Sequence, residues 1–455
     1  MAENLTFLAT IRKYVSASTL LVLATVAALI VANLPWSADA YANFWLEPVS
    51  LSIGGFNLFS HGGHAMTVLD FINDFLMFFF FLSVGLEIKR EVLCGELSTR
   101  QKALLPIIGA CGGMAVPTLI FYLVCHADPV AARGCAIPMA TDIAFSLGVL
   151  SLFSKRVPLG LKMFLAALAV ADDLGGIIVI AIFYSDHLAW QYLVAGAIVV
   201  AILLWGNYKQ WRAKTFYLGW GLVLWYCVLN SGIHATIAGV ILAFCIPASL
   251  GKGTSYYIGR IKKLCSVYPN IELSEAERKK AMVISDDDIQ VLRQIEVASD
   301  HLISPLQDIE DDLNMPINYL VIPIFAFANA GVCMAGMHVG DLFHGVALGV
   351  MLGLLLGKFT GVLSFSWVAI KTGVCQKPEH TTWKAFASVC MLCGIGFTVS
   401  MFLAALSYPG TVENAATYLN EAKLGILCGT ILSALTGCWL LNMTLPKEEV
   451  ENQTT

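Results

Sequence analysis

Charge is what this chain has little of. Asp, Glu, Lys and Arg make up 13% of its 455 residues, against 58% hydrophobic. A soluble domain carries about 25% charged residues. The deficit excludes a soluble enzyme or a string of soluble domains and leaves an all-α polytopic membrane protein built as one continuous bundle. A basic stripe clear of the apolar flanks is also missing, so no nucleic-acid partner is expected. The net charge of −5 is small and selects no partner. The 13 cysteines lack a pattern. Most sit inside apolar runs, where Cys behaves as a small hydrophobe. Cys390 and Cys393 form a C-x-x-C within such a run, and His61-Gly-Gly-His64 reads as a solvated loop. No cofactor is expected. The first apolar run, from 15 to 35, is longer than the roughly 7–15 apolar residues of a signal peptide and reads as a retained helix.

What is there is apolar sequence in twelve runs. They centre on 15–35, 69–87, 103–125, 135–153, 159–184, 190–206, 216–231, 233–249, 317–335, 343–370, 385–408 and 424–442. The cations between them test the count. All but three of the 27 Lys and Arg fall on one side of the alternation, only Arg133 and Lys423 on the other, and Lys358 lies inside a run. By the positive-inside rule both termini are cytoplasmic. The expected organisation is a cytoplasmic N-terminus (1–14), a transmembrane domain (15–442) and a C-terminal tail (443–455). Residues 48–59, alternating about Gly54-Gly55, read as an outer β-hairpin. Residues 250–303 read as a long cytoplasmic loop, partly helical in pattern.

The charges that remain inside the runs carry the functional argument. The stretch 159–184 is long enough to span a bilayer, which takes about 20 residues, yet it holds Asp172 and Asp173 side by side. A carboxylate at that depth costs about 2.5–3.5 kcal/mol on insertion scales. Something must offset the cost: a proton, a cation or a fixed positive group. Lys358 is a candidate for the fixed group. Successive helix residues point about 100° apart, so one aspartate can meet Lys358 while the other lines an ion cavity.

Two runs are interrupted at matching places. In one, Pro138 breaks the helix ladder and Thr141-Asp142 follow. In the other, Gly394 and Gly396 loosen the helix and Thr398 supplies a hydroxyl. Each interrupted run has one run before and one after, giving three-helix units at about 103–184 and 343–442 that start on opposite sides. Inverted repeats with broken helices in corresponding positions point to a transporter's midplane site. Hard oxygens from Asp172, Asp173, Asp142 and Thr141 suit a small alkali cation. Paired buried carboxylates suit protons.

The segments Ala140-Thr-Asp-Ile-Ala-Phe145, Ala171-Asp-Asp-Leu-Gly175, Gly85-Leu-Glu-Ile-Lys-Arg-Glu91, Ser231-Gly-Ile-His-Ala-Thr236, Phe325-Ala-Phe-Ala-Asn-Ala-Gly331 and Gly394-Ile-Gly-Phe-Thr398 together resemble the NhaA-type bacterial sodium/proton antiporters over nearly the whole chain. The resemblance implies twelve spans with two crossing discontinuous helices in the bacterial inner membrane. It implies electrogenic exchange of cytoplasmic sodium or lithium for external protons, with Asp172 and Asp173 holding the transported ion and the protons. Thr141 and Asp142 would sit at the first break, and Lys358 would be the buried lysine of run ten. It further implies a homodimer through residues 48–59, with membrane lipid as surroundings. A pH-responsive cluster would comprise Glu87, Arg90, Glu91 and Glu310, with His234 matching a family histidine. Near Glu310 many members carry basic and histidine residues; this chain has Gln307, Asp308, Asp311 and Asn314. With Asp312 these residues predict an acidic cytoplasmic mouth faced only by Lys89 and Arg90.

Other readings fit parts of the sequence. A prenyl-transferring membrane enzyme using the Asp pair would want a further Asp where Gly176 stands. An intramembrane aspartyl protease could use Asp142 and Asp173, but Lys358 argues against it. A passive channel fits inverted repeats less well than alternating access does. A sodium-coupled symporter of related fold fits the architecture, but the paired Asp favours protons.

Overall fold

The computed structural model describes residues 16–446 apart from 54–55, 58, 62–63, 96, 155, 184–187, 250–253, 268–285, 301, 334–338, 380 and 411–413. The expected N-terminal segment 1–14 and most of the tail, 447–455, lie outside the described residues. Helix α1 (Ala17–Asn33) is capped by Ser16, whose side chain accepts from the Thr19 N–H, and α2 (Ala38–Leu46) bends away from it by 110°. A small β element follows. Strands β2 (Ser52–Ile53) and β3 (Phe56–Asn57) form the expected hairpin, in the register Ser52↔Asn57. The β structure does not stop at residue 59. Strand β5 (His64–Thr67) pairs with β4 (Ser60–His61) on one side and β1 (Pro48–Val49) on the other. The stretch read as a solvated loop therefore links two paired strands, with His61 opposite His64.

A capping box of Thr67 and Asp70 starts α3 (Val68–Cys94), which holds a π-helical segment at Phe71–Leu76. After α4 (Arg100–Cys125) comes the first interrupted run, a 3-10 helix (Ala131–Met139) and α5 (Ile143–Ser151), bent by 43°. Next are α6 (Leu159–Phe183), α7 (Trp190–Tyr208), α8 (Lys214–Leu229) and α9 (Ile237–Cys245). The long loop holds α10 (Thr254–Val267) and α11 (Asp286–Asp300), which pack together. Helix α12 (Pro305–Pro316) continues through a π segment, Ile317–Val321, into α13 (Ile322–Asn329). Helix α14 (Gly345–Lys371) has its own π segment, Gly353–Gly357, directly before Lys358. The second interrupted run is α15 (Trp383–Leu392) and α16 (Phe397–Ser407), bent by 45°, followed by α17 (Ala415–Thr444).

Each apolar run thus coincides with a helix or a helix pair. Six helices are long and apolar enough to cross a membrane, or up to nine if each bent pair is one span, among the described residues. The chain is a multi-pass membrane protein. Elements α4 to α6 and α14 to α17 each consist of a long helix, a broken helix and another long helix. The leading helices of the two units, α4 and α14, pack on each other where Gly112 meets Gly361. A Cβ on either would stand 2.2–2.4 Å from the other's carbonyl oxygen, so only glycine permits this crossing.

Candidate functional site

The two interruptions meet at the centre of the bundle. The first differs from expectation in form. The segment that ends at Met139 is a 3-10 helix, and the chain is extended from Ala140 to Asp142, two residues beyond Pro138. An extended segment presents its N–H and hydroxyl groups sideways, and the second broken helix receives them. The Asp142 N–H donates to the Ile395 carbonyl (2.7 Å), and Thr141 Oγ1 donates to the Cys393 carbonyl (2.9 Å). The Cys393 carbonyl is at the C-cap of α15 and that of Ile395 lies in the break just beyond it, where helical partners run out.

Asp142 then caps two helices. Its Oδ1 accepts from the Phe145 N–H of its own helix, α5 (2.9 Å). Its Oδ2 accepts from the N–H (3.1 Å) and hydroxyl (2.6 Å) of Thr398, in the first turn of α16. The N-cap of α16 is Gly396, which offers no side-chain cap. One carboxylate, 2% exposed, thus faces the positive ends of two half-helices. Gly394 and Gly396 lie in the break between α15 and α16, and they serve close packing as well. Neither has a positive φ. A Cβ on Gly394 would lie 2.4 Å from the Leu354 carbonyl oxygen, and one on Gly396 would lie 2.9 Å from that of Ala140. The glycines let α14 and the first break close on the second break.

Helix α6 passes beside this crossing with Asp172 and Asp173 both buried. Their directions diverge as the helix geometry requires. Asp172 Oδ2 accepts from Lys358 Nζ, with both side chains fully buried. Asp173 shares the field of Asp172, Asp142, Glu87 and Lys358. One oxygen of each aspartate, Asp172 Oδ1 and Asp173 Oδ1, is buried with no well-formed hydrogen bond among the described residues, although Thr141 stands close enough to act on Asp172. Two orphaned carboxylate oxygens beside a charge pair are expensive unless a proton or cation engages them. The group lies in the seam between two hydrophobic clusters, one holding Ile137, Val170 and Phe402, the other Leu165, Val362 and Ile395.

Toward the side rich in Lys and Arg, Arg90 Nη1 pairs with Glu310 Oε1 (2.7 Å) and Arg90 Nη2 stands 3.7 Å from Glu91. Burial pushes the Glu310 carboxyl up to about 7, and Arg90 opposes that only in part. Glu87 feels Arg90 and Glu91 and in turn acts on Asp173, so it links this cluster to the central group. His234 stands apart from the cluster. Its Nδ1 is 3.2 Å from Thr236 Oγ1 and 3.9 Å from Asp74 Oδ1, and its ring meets Phe402 edge-on. Asp74 lies near the opposite end of α3 from Arg90, thirteen positions from Glu87, which is about 20 Å of helix.

The acidic mouth is also less acidic than its sequence. Lys214 bridges Asp308 (2.7 Å) and Asp312 (2.6 Å). Lys89 pairs with no carboxylate among the described residues; it donates to the carbonyls of Ala243, Phe244 and Ile246 at the end of α9. Sequence reasoning missed both contacts. No local signal marks Lys214 as a partner of residues 94 and 98 positions away. Asp74 was missed too, although an Asp at the start of an apolar run is visible in the sequence.

A multi-pass bundle with two broken helices crossed around a buried lysine and carboxylates has the architecture of ion-coupled secondary transporters. Comparison with known proteins makes the class specific. The family model described as Na+/H+ antiporter 1 matches residues 9–441, and the chain belongs to that family. A Na(+)/H(+) antiporter NhaA of Phocaeicola vulgatus is 49% identical over 449 residues, covering 98% of each chain. That of Bacteroides fragilis is 50% identical over 433 residues, covering 95% of this chain and 96% of its own. That of Bacteroides thetaiotaomicron is 47% identical over 446 residues, covering 97% and 99%. These relatives are transporters, and the chain is a transporter rather than an enzyme.

Proposed function

We propose that this protein exchanges cytoplasmic sodium or lithium for external protons, electrogenically and by alternating access, at the group formed by Asp172, Asp173, Asp142, Thr141 and Lys358. The observation that carries the reading is the buried Lys358–Asp172 pair beside Asp173, each aspartate with one orphaned oxygen. Such a group accepts either a hard cation or protons, and exchange follows from their competition for the same oxygens. Asp173 and Asp172 bind the cargo. Lys358 offsets the charge of Asp172, and Thr141, Asp142 and Thr398 hold the two breaks together, with Pro138, Gly394 and Gly396 shaping them.

The finer architecture belongs to the same reading. The protein has twelve spans in the bacterial inner membrane, with both termini cytoplasmic and the units at 103–184 and 343–442 as inverted repeats. Antiporters of this family are themselves a type example of that design. The homodimer forms through residues 48–59. A ladder as short as β2–β3 is marginal alone, and pairing with a second copy across a two-fold axis would extend it. Glu87, Arg90, Glu91 and Glu310 form the pH-responsive cluster, with His234 acting from a separate position. The pH response of this chain differs from relatives that carry basic and histidine residues near Glu310.

The test is proton movement in everted membrane vesicles on addition of sodium chloride. Wild-type vesicles release accumulated protons. Asp173→Asn vesicles with equal protein in the membrane should release none, because an amide cannot trade a cation for a proton. Wild-type rates in that variant would end the reading.

A further inference from the structure

The loop between α9 and α12 contains a helix with a one-sided charge that the exchange reaction does not use. Helix α10 carries Arg260, Lys262 and Lys263 and no acidic residue. Its partner α11 carries Asp286, Asp287, Asp288, Glu296 and Asp300 against a single Arg293. The two helices pack together, and Tyr257, Ile261 and Leu264 are the less exposed positions of α10, recurring at helical spacing. That leaves Tyr256, Arg260 and Lys263, at i, i+4 and i+7, as one exposed stripe beside the packed face. Tyr256 is 65% exposed, and Ile258, on the other flank with Lys262, is 42% exposed. None of the ion pairs among the described residues involves Arg260, Lys262 or Lys263.

The helix is tethered close to the end of the bundle. Ser249 Oγ donates to Gln210 Oε1, two residues beyond α7, and the Pro247 carbonyl accepts from the Leu306 N–H. From Ser249 to Thr254 the chain reaches at most about 17 Å. The tether lies on the side that holds nearly all the Lys and Arg of the connections. Unpaired cations on long apolar stems, with an aromatic in the same stripe, are the chemistry of a helix lying in a membrane interface.

We propose that α10 lies on the bilayer through this stripe and binds anionic lipid headgroups, while the acidic α11 faces away from the surface. Charge selects the occupant: an anionic surface attracts α10 and repels α11, which orients the pair. The inference needs the bundle to sit in a bilayer but not the exchange reaction, so the two stand or fall separately.

The test is amide hydrogen exchange of residues 254–267 in full-length protein, in nanodiscs of phosphatidylglycerol and of phosphatidylcholine at equal salt. A basic residue at an anionic surface is worth about fivefold in partitioning. Three predict exchange slower by a factor on the order of a hundred in the anionic discs. Raising salt to about 0.5 M shortens screening to a few ångströms and should erase the difference. The R260Q/K262Q/K263Q variant should show equal exchange in both discs while keeping sodium-driven proton movement. Equal exchange of wild type in the two discs overturns the proposal, as does a difference that survives high salt. The salt arm needs no variant, so a failure of the triple variant to fold does not protect the idea.

Discussion

Asp172 and Asp173 are neighbours on one helix with different surroundings, and that difference sorts their chemistry. Asp172 holds Lys358, and neither side chain reaches solvent. Breaking a buried ion pair by removing one partner typically costs about 3–5 kcal/mol. Lys358→Ala should lower the melting temperature in detergent, and Asp172→Asn in the same chain should recover part of that loss. Strictly additive losses in the double-mutant cycle would show that the two residues do not interact. Glu310 supports a prediction of opposite kind. Its carboxyl is raised to about 7 from an ordinary value near 4.5, so between those pH values the folded protein holds a proton that the unfolded chain releases. The stability this contributes is present at low pH and is lost as pH rises toward 7. Glu310→Gln stays neutral throughout, so its melting temperature should fall less between pH 5 and pH 8 than that of wild type. Parallel curves would remove Glu310 as a titrating group. The pH profile of exchange should shift in the same variant.

At the level of elements, the two broken helices were legible as breaks and illegible as a joint. Pro138, Gly394 and Gly396 announce interruptions because they weaken a helix wherever they stand. That Asp142 caps α16 across 256 residues cannot be read locally, since the cap of α16 is absent from its own sequence. The glycines lie in the break, as expected, and carry a second need that the sequence does not show: the close approach of the Leu354 and Ala140 carbonyls, a property of packing. Gly394→Ala therefore inserts a methyl against backbone, which cannot rotate away as a side chain would. Overpacking of this kind costs about 1–3 kcal/mol. A lowered melting temperature is expected, together with slower exchange, and an unchanged melting temperature would mean that the helices separate freely. The twelve runs were legible because hydropathy and the Lys/Arg alternation are written along the chain. The acidic mouth misled because pairing with Lys214 depends on how α8 and α12 pack.

For the whole molecule, assembly and voltage are the questions. Deleting residues 48–58 removes β1 to β3 and leaves every residue of the central group in place. Light scattering in mild detergent should then report monomers that still exchange ions when reconstituted, and a dimer of unchanged strength would put the interface elsewhere. The buried Lys358 has a further consequence, in electrical terms. With both aspartates ionised, and the charge of Asp142 offset by the two half-helix N-termini it caps, the trio of Asp172, Asp173 and Lys358 carries a net charge of −1. One sodium ion brings it to zero, and two protons bring it to +1. On the proposed cycle, the sodium-loaded stroke then moves no net charge across the bilayer, and the proton-loaded stroke moves one. A charge crossing the full potential is worth about 2.3 kcal/mol per 100 mV. An inside-negative potential therefore pulls on the inward proton stroke alone, and the cell's voltage acts as a ratchet on that half of the cycle while the sodium half runs on concentration.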